Sequence, residues 1–207
     1  IDRPKEKLLH YFRQTRTSAE RLMVLVNDLL DLSKMESGKM DYTFDYNNVH
    51  EIMKEALSEL KPAIQNKKLI LTLVDHPMLS TSIICDYYKV GQVVRNLLSN
   101  AIKFTPEEKC IDTKIERDEL IYEKISIPAL KVSVCDQGVG IPEDELALVF
   151  DKFTQSSKTK TGAGGTGLGF SICKEIIEAH HGKIWAENNP DGGATFSFML
   201  PYQQEVD

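Results

Sequence analysis

The stretch Gly162-Ala163-Gly164-Gly165-Thr166-Gly167-Leu168-Gly169 does most to narrow the fold of this chain. It leads directly into an apolar-periodic segment that predicts a helix from Leu168 to His180. Glycines at the start of a helix leave backbone N–H groups open to a ligand, and the positive end of the helix dipole favours an anion. The stretch therefore predicts a phosphate-binding loop, with a merely flexible loop as the alternative.

Two better-known glycine motifs do not fit. Gly162, Gly164 and Gly167 have the G-x-G-x-x-G spacing of dinucleotide-binding folds, but that motif must follow a strand directly. The preceding residues, Ser156-Ser157-Lys158-Thr159-Lys160-Thr161, are too polar for a buried strand. The sequence also lacks G-x-x-x-x-G-K-[ST] and the V-A-I-K, H-R-D and D-F-G motifs of eukaryotic-type protein kinases.

A second glycine cluster, Asp136-Gln137-Gly138-Val139-Gly140, follows a predicted strand from Leu130 to Cys135. The two clusters together hold seven of the 12 glycines in the chain. Because glycine is entropically costly to fix, such clustering indicates unusual backbone dihedrals or the close approach of a ligand.

The third feature is a predicted helix from Asp86 to Phe104, which Pro106 stops. Asn96, Asn100 and Lys103 are spaced by four and three residues, so they project from one face, beside the apolar stripe. An amide oxygen is a suitable neutral ligand for Mg²⁺, and a lysine can contact phosphate. Taken alone, these residues could equally be two solvated asparagines and a surface lysine.

The remaining pattern predicts an α+β fold, a two-layer α/β sandwich with a mixed sheet and helices on one face. Tyr42, Phe44 and Tyr46 alternate with polar residues and predict a short strand. The charged segment Glu107–Ala129 predicts a hairpin with an exposed loop. The other predicted strands cover 69–74, 82–85, 130–135, 183–187 and 194–200, the other helices cover 48–65 and 143–150, and an irregular loop covers 156–167.

A long helix is predicted from Lys5 to Met35, ended by Gly38. Its length of about 45 Å is unusual inside a compact domain. Apolar and small residues recur in steps of four and three, at Leu8, Phe12, Thr15, Ala19, Leu22, Val26, Leu29 and Ser33. We therefore predict two domains, residues 1–38 forming a bundle helix between the subunits of a homodimer and residues 39–207 forming the globular domain. A helix lying along the globular domain is the alternative.

The net charge of -6 disfavours nucleic acid as a partner. The four cysteines are far apart and form no C-x-x-C pair, so we expect small buried side chains in a reducing compartment. No apolar run approaches the roughly 20 residues that span a bilayer. We expect this part of the protein to be cytoplasmic without direct membrane contact, and any inner-membrane anchor of the parent protein to lie upstream of Ile1.

Together these segments resemble the ATP-binding domain of sensor histidine kinases, within the superfamily of gyrase, heat-shock chaperone and mismatch-repair ATPases. The stretch Asp86–Thr105 is similar to the family's N box, and Val134–Pro142 to its G1 box. Phe150-Asp151-Lys152-Phe153 resembles the F box, and Gly162–Gly169 the G2 box. The stretch Asp31–Gly38 resembles the end of the second helix of the dimerisation and phosphotransfer domain.

The resemblance implies an adenine pocket. Asp136 would accept a hydrogen bond from the adenine amino group, for which a carboxylate is a stronger acceptor than a neutral group. Gly138, Gly140 and Ile141 would lie close to the base, and Thr195 would line the pocket.

The resemblance also implies a triphosphate site for ATP with Mg²⁺. Asn100 would ligate Mg²⁺ with support from Asn96, and Lys103 would contact phosphate, so Asn96 and Lys103 are the predicted catalytic residues. Phe150 and Phe153 would anchor the base of a lid. The lid and phosphate cradle would comprise Gly164, Gly165, Thr166, Gly167, Leu168 and Gly169.

One position favours phosphotransfer over hydrolysis. ATPases of this superfamily carry a glutamate four residues before the Mg²⁺-binding asparagine, whereas this chain has Asn96, which cannot take a proton from water. The resemblance thus implies a protein-histidine kinase that passes phosphate on to the aspartate of a response-regulator receiver domain. An ATPase clamp and a pseudokinase acting only in docking are the alternatives.

The chain departs from the family at the phosphoacceptor. The typical string of His-Glu, a basic residue, Thr or Ser, and Pro is absent, and His10 is followed by Tyr11-Phe12-Arg13. We therefore expect the acceptor histidine and the first bundle helix upstream of Ile1, and no autophosphorylation by this chain alone. The segment Glu107–Ala129 is longer than the family hairpin, and nothing in the sequence explains it.

Overall fold

A computed structural model describes residues 3–75, 79–122, 124–159 and 166–203 of the chain. The chain divides into two compact units, Ile1–Met40 and Asp41–Asp207. Of the predicted lid residues, Gly164 and Gly165 lie outside the described residues.

The first unit is one long helix, α1 (Arg3–Glu36). It ends in a Schellman motif, in which Gly38 has a φ of +64° and Lys39 N donates to Lys34 O at 2.9 Å. The predicted helix and its terminating glycine are confirmed. Large apolar side chains along α1 are 40–66% exposed: Leu8, Leu9, Tyr11, Phe12, Leu22, Met23, Val24, Leu25, Val26, Leu29 and Leu30. Among the described residues, no helix combines the length and apolarity that a bilayer crossing requires.

The second unit contains a five-stranded sheet and a separate two-stranded sheet. The strands are β1 (Asp45–Asn48), β2 (Ile70–Asp75), β3 (Ser82–Cys85), β4 (Cys110–Tyr122), β5 (Ile125–Asp136), β6 (Lys183–Asn188) and β7 (Ala194–Pro201). The large sheet has the order β2-β4-β5-β7-β6, and β1 pairs with β3. Because β2 runs parallel to β4 while the other pairs are antiparallel, the sheet is mixed, as predicted.

The described residues of this unit also form three α-helices: α2 (Val49–Asn66), α3 (Tyr87–Phe104) and α4 (Gly169–Ala179). The apolar stripe of α3 is fully buried, and residues of alternate strand positions form the facing layer, such as the register partners Ile115, Val132 and Phe198. This alternation is what a sheet covered by helices on one face requires. The predicted α+β fold is confirmed.

Two helix starts follow from local sequence. The side chain of Asn48 accepts a hydrogen bond from His50 N at 2.9 Å and caps α2. Asp86 caps α3 by accepting from Lys89 N at 3.0 Å, and its other oxygen accepts from Thr43 N at 2.8 Å. The cap of α3 therefore also fixes the chain segment that enters this unit.

Two predicted elements are wrong in extent. The strand predicted from Tyr42 begins only at Asp45, because Tyr42 and Phe44 pack their rings against His180, with centroids 5.6 and 4.8 Å away. The helix predicted over residues 143–150 is a single 3₁₀ turn, Glu143–Glu145, followed by turns that bury Val149 and Phe150. In both cases tertiary packing of aromatic or apolar side chains replaces the regular local pattern.

The charged segment of residues 107–129 forms a hairpin, and most of its described residues lie in two long strands. Strand β4 continues to Tyr122 and β5 begins at Ile125, in continuous register. The charged side chains of these strands are exposed or half-buried, while Ile111, Ile115 and Leu120 are buried. Most of the charged residues of this segment therefore lie on long strands rather than in the predicted exposed loop.

Candidate active site

Asp136 is the last residue of β5, and the described residues donate hydrogen bonds to one of its two carboxylate oxygens. Its Oδ1 accepts hydrogen bonds from Gly138 N at 2.8 Å and from Ala194 N at 3.3 Å. Oδ2 receives none from the residues that the structure describes. Asp136 is 5% exposed, and burial raises the pKa of its carboxyl group, against which the two backbone hydrogen bonds act. One carboxylate oxygen therefore remains for a donor on a ligand.

The glycines after Asp136 allow close packing of the loop. A Cβ atom on Gly138 would lie 2.8 Å from Asp136 Oδ1 and 2.9 Å from Phe104 O. Gly140 has a φ of +66°, which side chains of L-residues rarely adopt. The loop therefore lies directly on the carboxyl end of α3, where Phe104 is the last residue.

Helix α3 presents the three predicted polar residues. Asn100 Nδ2 donates to Asn96 O at 2.8 Å, which turns its amide nitrogen back to the helix and leaves Oδ1 as the available ligand atom. Asn96 Nδ2 donates to Gly169 O at 3.3 Å, so this side chain contacts the first residue of α4. Lys103 Nζ lies 4.7 Å from the ring centroid of Phe104.

The stretch predicted to bind phosphate leads into α4, which begins at Gly169. The side chain of its N-cap residue, Leu168, makes no capping hydrogen bond. Leu168 N donates a hydrogen bond to Thr166 Oγ1 at 3.2 Å. A Cβ atom on Gly169 would lie 3.3 Å from Asn96 Oδ1, so glycine permits the contact between α3 and α4. The first N–H groups of α4 thus lie beside Asn96 at the positive end of a helix.

Phe153, which we predicted to anchor the base of a lid, contacts Gly167 through the backbone. Phe153 N donates to Gly167 O at 2.9 Å, and these residues have φ values of +62° and +71°. The Phe153 side chain is 66% exposed, so it is not a core residue. Phe150 is buried and packs near Phe170 and Phe196, with ring centroids 5.8 and 6.3 Å away.

Residues predicted for the adenine pocket and residues predicted for the triphosphate site lie at the same end of the unit. Gly138 packs against Phe104, and Asn100 lies one helical turn before Phe104 on α3. Asp136, Asn100 and the start of α4 are thereby joined through direct contacts of their elements. The adenine-pocket residues and the triphosphate-site residues therefore do not lie on opposite sides of the unit.

Two asparagines at the end of β6 contact residues of the predicted adenine pocket, and they were not predicted from the sequence. Asn188 Oδ1 accepts from Ile141 N at 2.8 Å, and Asn188 Nδ2 donates to Ile141 O at 2.7 Å. Asn189 Nδ2 donates to Asp136 O at 3.0 Å. In the sequence, Asn188-Asn189-Pro190 has the composition of an ordinary turn, so nothing local indicates these contacts.

Thr195 does not contact Asp136 with its hydroxyl group. It pairs with Cys135 on β5, so its side chain lies on the opposite face of the sheet from that of Asp136. Thr195 Oγ1 donates instead to Asn189 Oδ1 at 2.6 Å. The contact to the carboxylate comes from the preceding residue, Ala194.

Residues 85–204 match the family described as histidine kinase-, DNA gyrase B-, and HSP90-like ATPase. The chain belongs to this family. The match spans α3, the Asp136 loop and the start of α4, and it confirms the resemblance to the ATP-binding domain of sensor histidine kinases.

The relatives of this chain include much longer proteins. It is 35% identical over 196 residues to the sensor histidine kinase WalK of Bacillus subtilis (strain 168), covering 92% of this chain and 30% of WalK. The solved catalytic domain of histidine kinase ThkA is 32% identical, with a TM-score of 0.64, over 79% of this chain and 98% of that one. ThkA in complex with the response regulator protein TrrA gives a TM-score of 0.74 at 26% identity, over 98% of this chain and 53% of that one.

Proposed function

We propose that this chain binds Mg·ATP and transfers the γ-phosphoryl group to a histidine outside the chain, for relay to an aspartate of a response-regulator receiver domain. The observation that carries this proposal is the position of Asp136, whose Oδ2 receives no hydrogen bond from the described residues. It lies at the same end of the fold as Asn96, Asn100 and Lys103. Support comes from the relatives, which are named as histidine kinases, and from the ThkA complex with a response regulator.

The base end of the nucleotide would bind at Asp136. The exocyclic amine of adenine is a donor, and Oδ2 is the carboxylate oxygen that receives no bond from the described residues. A hydrogen bond to a charged acceptor in a buried site is stronger than one to a neutral acceptor. Gly138, Gly140 and Ile141 would flank the base, and Thr195 would contribute through Asn189.

The phosphate end would bind between α3 and α4. Among the described residues no group of three or more His, Cys, Asp or Glu side chains could hold a metal, so Mg²⁺ would take oxygens from the phosphates and from Asn100, with Asn96 in support. Such sparse protein ligation is usual for Mg²⁺ bound with a nucleotide. The bound ion would neutralise charge on the phosphate oxygens. Lys103 and the N–H groups from Thr166 to Gly169 would bind phosphate, and Gly164 and Gly165 would complete the lid.

The identity of residue 96 favours histidine over water as the attacking group. Water must lose a proton as it attacks phosphorus, and the amide of Asn96 cannot accept one. A neutral imidazole attacks with a nitrogen lone pair, so an N–P bond forms while the bond to the β-phosphate oxygen breaks and ADP leaves. Asn96 and Lys103 would therefore position and neutralise charge without acting as a base.

Helix α1 would supply the dimer contact. Its exposed apolar residues recur at bundle spacing, and Leu8, Phe12 and Leu22 are more than half exposed. We propose that residues 1–38 are the second helix of a dimerisation and phosphotransfer bundle and that residues 39–207 form the ATP-binding domain. Because the proposed reaction consumes ATP, we expect it to take place in the cytoplasm.

Reconstitution of the reaction tests the proposal. The chain is mixed with a protein that carries the missing histidine helix and with γ-labelled Mg·ATP, and the acceptor is assayed for label. We expect acid-labile, alkali-stable phosphate on the acceptor with the wild type and none with Asp136→Asn. Sustained ATP hydrolysis without an acceptor would instead indicate an ATPase, and the absence of ATP binding would indicate a docking module.

A further inference from the structure

The side chains of Asn188 and Asn189 hold the two ends of residues 136–141, which we name the adenine loop. At its far end, Asn188 makes a reciprocal pair of hydrogen bonds with the backbone of Ile141, at 2.8 and 2.7 Å. At its near end, Asn189 donates to the carbonyl oxygen of Asp136 at 3.0 Å and to Cys135 Sγ at 3.3 Å. The primary amide of Asn188 thus acts on Ile141 as a neighbouring strand would, donating and accepting at one residue.

The two asparagines are themselves held by the hairpin between β6 and β7. Asn189 N donates to Gly193 O at 3.1 Å, and Gly192 N donates to Asn189 O at 3.0 Å. The side-chain oxygen of Asn189 accepts from Thr195 Oγ1 at 2.6 Å. Asn188 Nδ2 also donates to Glu143 Oε1 at 3.2 Å. These hydrogen bonds fix the orientations of both amides.

The loop needs such support because of its composition. It contains Gly138 and Gly140, and glycine has the greatest backbone freedom of all residues. If the loop were free, its order would have to be imposed by the ligand, which weakens binding. With both ends held, Gly138 N stays on Asp136 Oδ1 at 2.8 Å, and the direction of Oδ2 is fixed.

We infer that Asn188 and Asn189 are positioning residues for recognition of the base, because their amides hold both ends of the adenine loop and so orient the Asp136 carboxylate. This inference rests on the proposed function, since it assumes that a nucleotide base binds at Asp136. It assigns the affinity effect of these residues to the base end alone, with no part in the Mg²⁺ and phosphate end.

Substitution of Asn188 in the complete chain tests the inference, with ADP as the calorimetric probe in the presence and absence of Mg²⁺. For Asn188→Ala we expect ADP affinity to fall about tenfold, as for the loss of one to two hydrogen bonds, and by the same factor with and without Mg²⁺. Asn188→Asp is isosteric and keeps the acceptor for Ile141 N but loses the donor to Ile141 O, so we expect a similar fall. If the alanine variant fails to fold, the aspartate variant answers the question.

Asn47→Ala is the matched control. Asn47 Nδ2 also donates to a backbone carbonyl, Cys85 O, at 2.7 Å, but in the two-stranded sheet away from the adenine loop. We expect its ADP affinity to equal that of the wild type. In an Asp136→Asn background, Asn188→Ala should have little further effect, because both changes act on one contact.

Four outcomes would overturn the inference. Wild-type ADP affinity in both Asn188 variants would show that the loop needs no support from this side chain. A loss confined to Mg·ADP, or losses that add fully to that of Asp136→Asn, would place the effect elsewhere than at the base. Failure of the wild type itself to bind ADP would refute the proposed function, and the inference with it.

Discussion

Replacing Asp136 by asparagine separates what this residue does for binding from what it does for stability. The change is isosteric, and the amide oxygen can still accept from Gly138 N and Ala194 N, as Oδ1 does at 2.8 and 3.3 Å. The second oxygen, however, becomes an NH₂ group. If adenine binds with its amine toward Oδ2, two donors then face each other.

The expected loss of affinity follows from two contributions. A hydrogen bond to a charged group contributes about 1.5–3 kcal/mol, and a buried donor left unsatisfied costs about 1–3 kcal/mol. The lower part of the combined range, about 3–4 kcal/mol, corresponds to a loss of roughly 10²- to 10³-fold in ATP affinity at 1.4 kcal/mol per factor of ten.

Stability is expected to change in the opposite direction. Because burial raises the pKa of Asp136 in the folded state, the folded protein holds this proton more tightly than the unfolded chain does. The free energy of unfolding therefore falls as pH rises from the unfolded pKa, about 3.9, to the raised folded value. At pH 7 the ionised carboxylate is a net cost, so Asp136→Asn should be as stable as the wild type or more stable.

Calorimetric titration with ATP and urea unfolding at pH 7 measure the two effects on the same protein. Asp191→Asn is the control, since it removes the same charge from an exposed residue in the turn between β6 and β7. We expect wild-type ATP affinity for this control. An Asp136→Asn protein that binds ATP within about threefold of the wild type would refute the assignment of Asp136 to the base, because either contribution alone exceeds that factor.

Four further substitutions test other parts of the site and its support. Asn100→Ala should remove the Mg²⁺-dependent part of ATP affinity, so that titrations with and without Mg²⁺ converge, while ADP binding without Mg²⁺ is unchanged. Lys67→Met removes donations to Ile102 O, Lys103 O and Thr105 O at 2.8, 2.7 and 3.0 Å, which cap α3, and should lower the free energy of unfolding by about 1–3 kcal/mol in urea. Lys68→Met, which loses an exposed ion pair with Glu108, should cost less than about 1 kcal/mol. Burial lowers the pKa of His180, so wild-type stability should fall as pH drops below about 6.5, and His180→Gln should show a flatter pH dependence of unfolding.

The parts of the fold that sequence predicts well are those fixed by neighbours in the chain. Helix α3 is predicted at both ends, because Asp86 caps its own first turn and Pro106 cannot continue the helix. The spacing of Asn96 and Asn100 places both on one face regardless of tertiary structure. The same holds for Gly38, whose positive φ ends α1 locally.

The parts that sequence does not predict depend on contacts between distant residues. Tyr42 and Phe44 alternate with polar residues as in a strand, but they pack on His180, whose Nε2 accepts from Asp86 N across 94 residues. The hydrogen bond from Ile141 N to Asn188 Oδ1 joins residues that are 47 positions apart in the sequence. Neither contact leaves a pattern in the nearby sequence, since each depends on how the sheet and helices are assembled.

The proposed roles imply a separation of charge along the nucleotide. In the proposed arrangement the carboxylate of Asp136 would be at the base end, whereas the neutral Asn96 and Asn100 and the cationic Lys103 would face the phosphates. A carboxylate next to the triphosphate would add repulsion in a partly buried site, where screening by water is weak. Asn96 avoids that repulsion and at the same time removes the base that hydrolysis requires. Under the proposed function, asparagine at position 96 would therefore favour both tight binding of ATP and its survival until an acceptor histidine arrives.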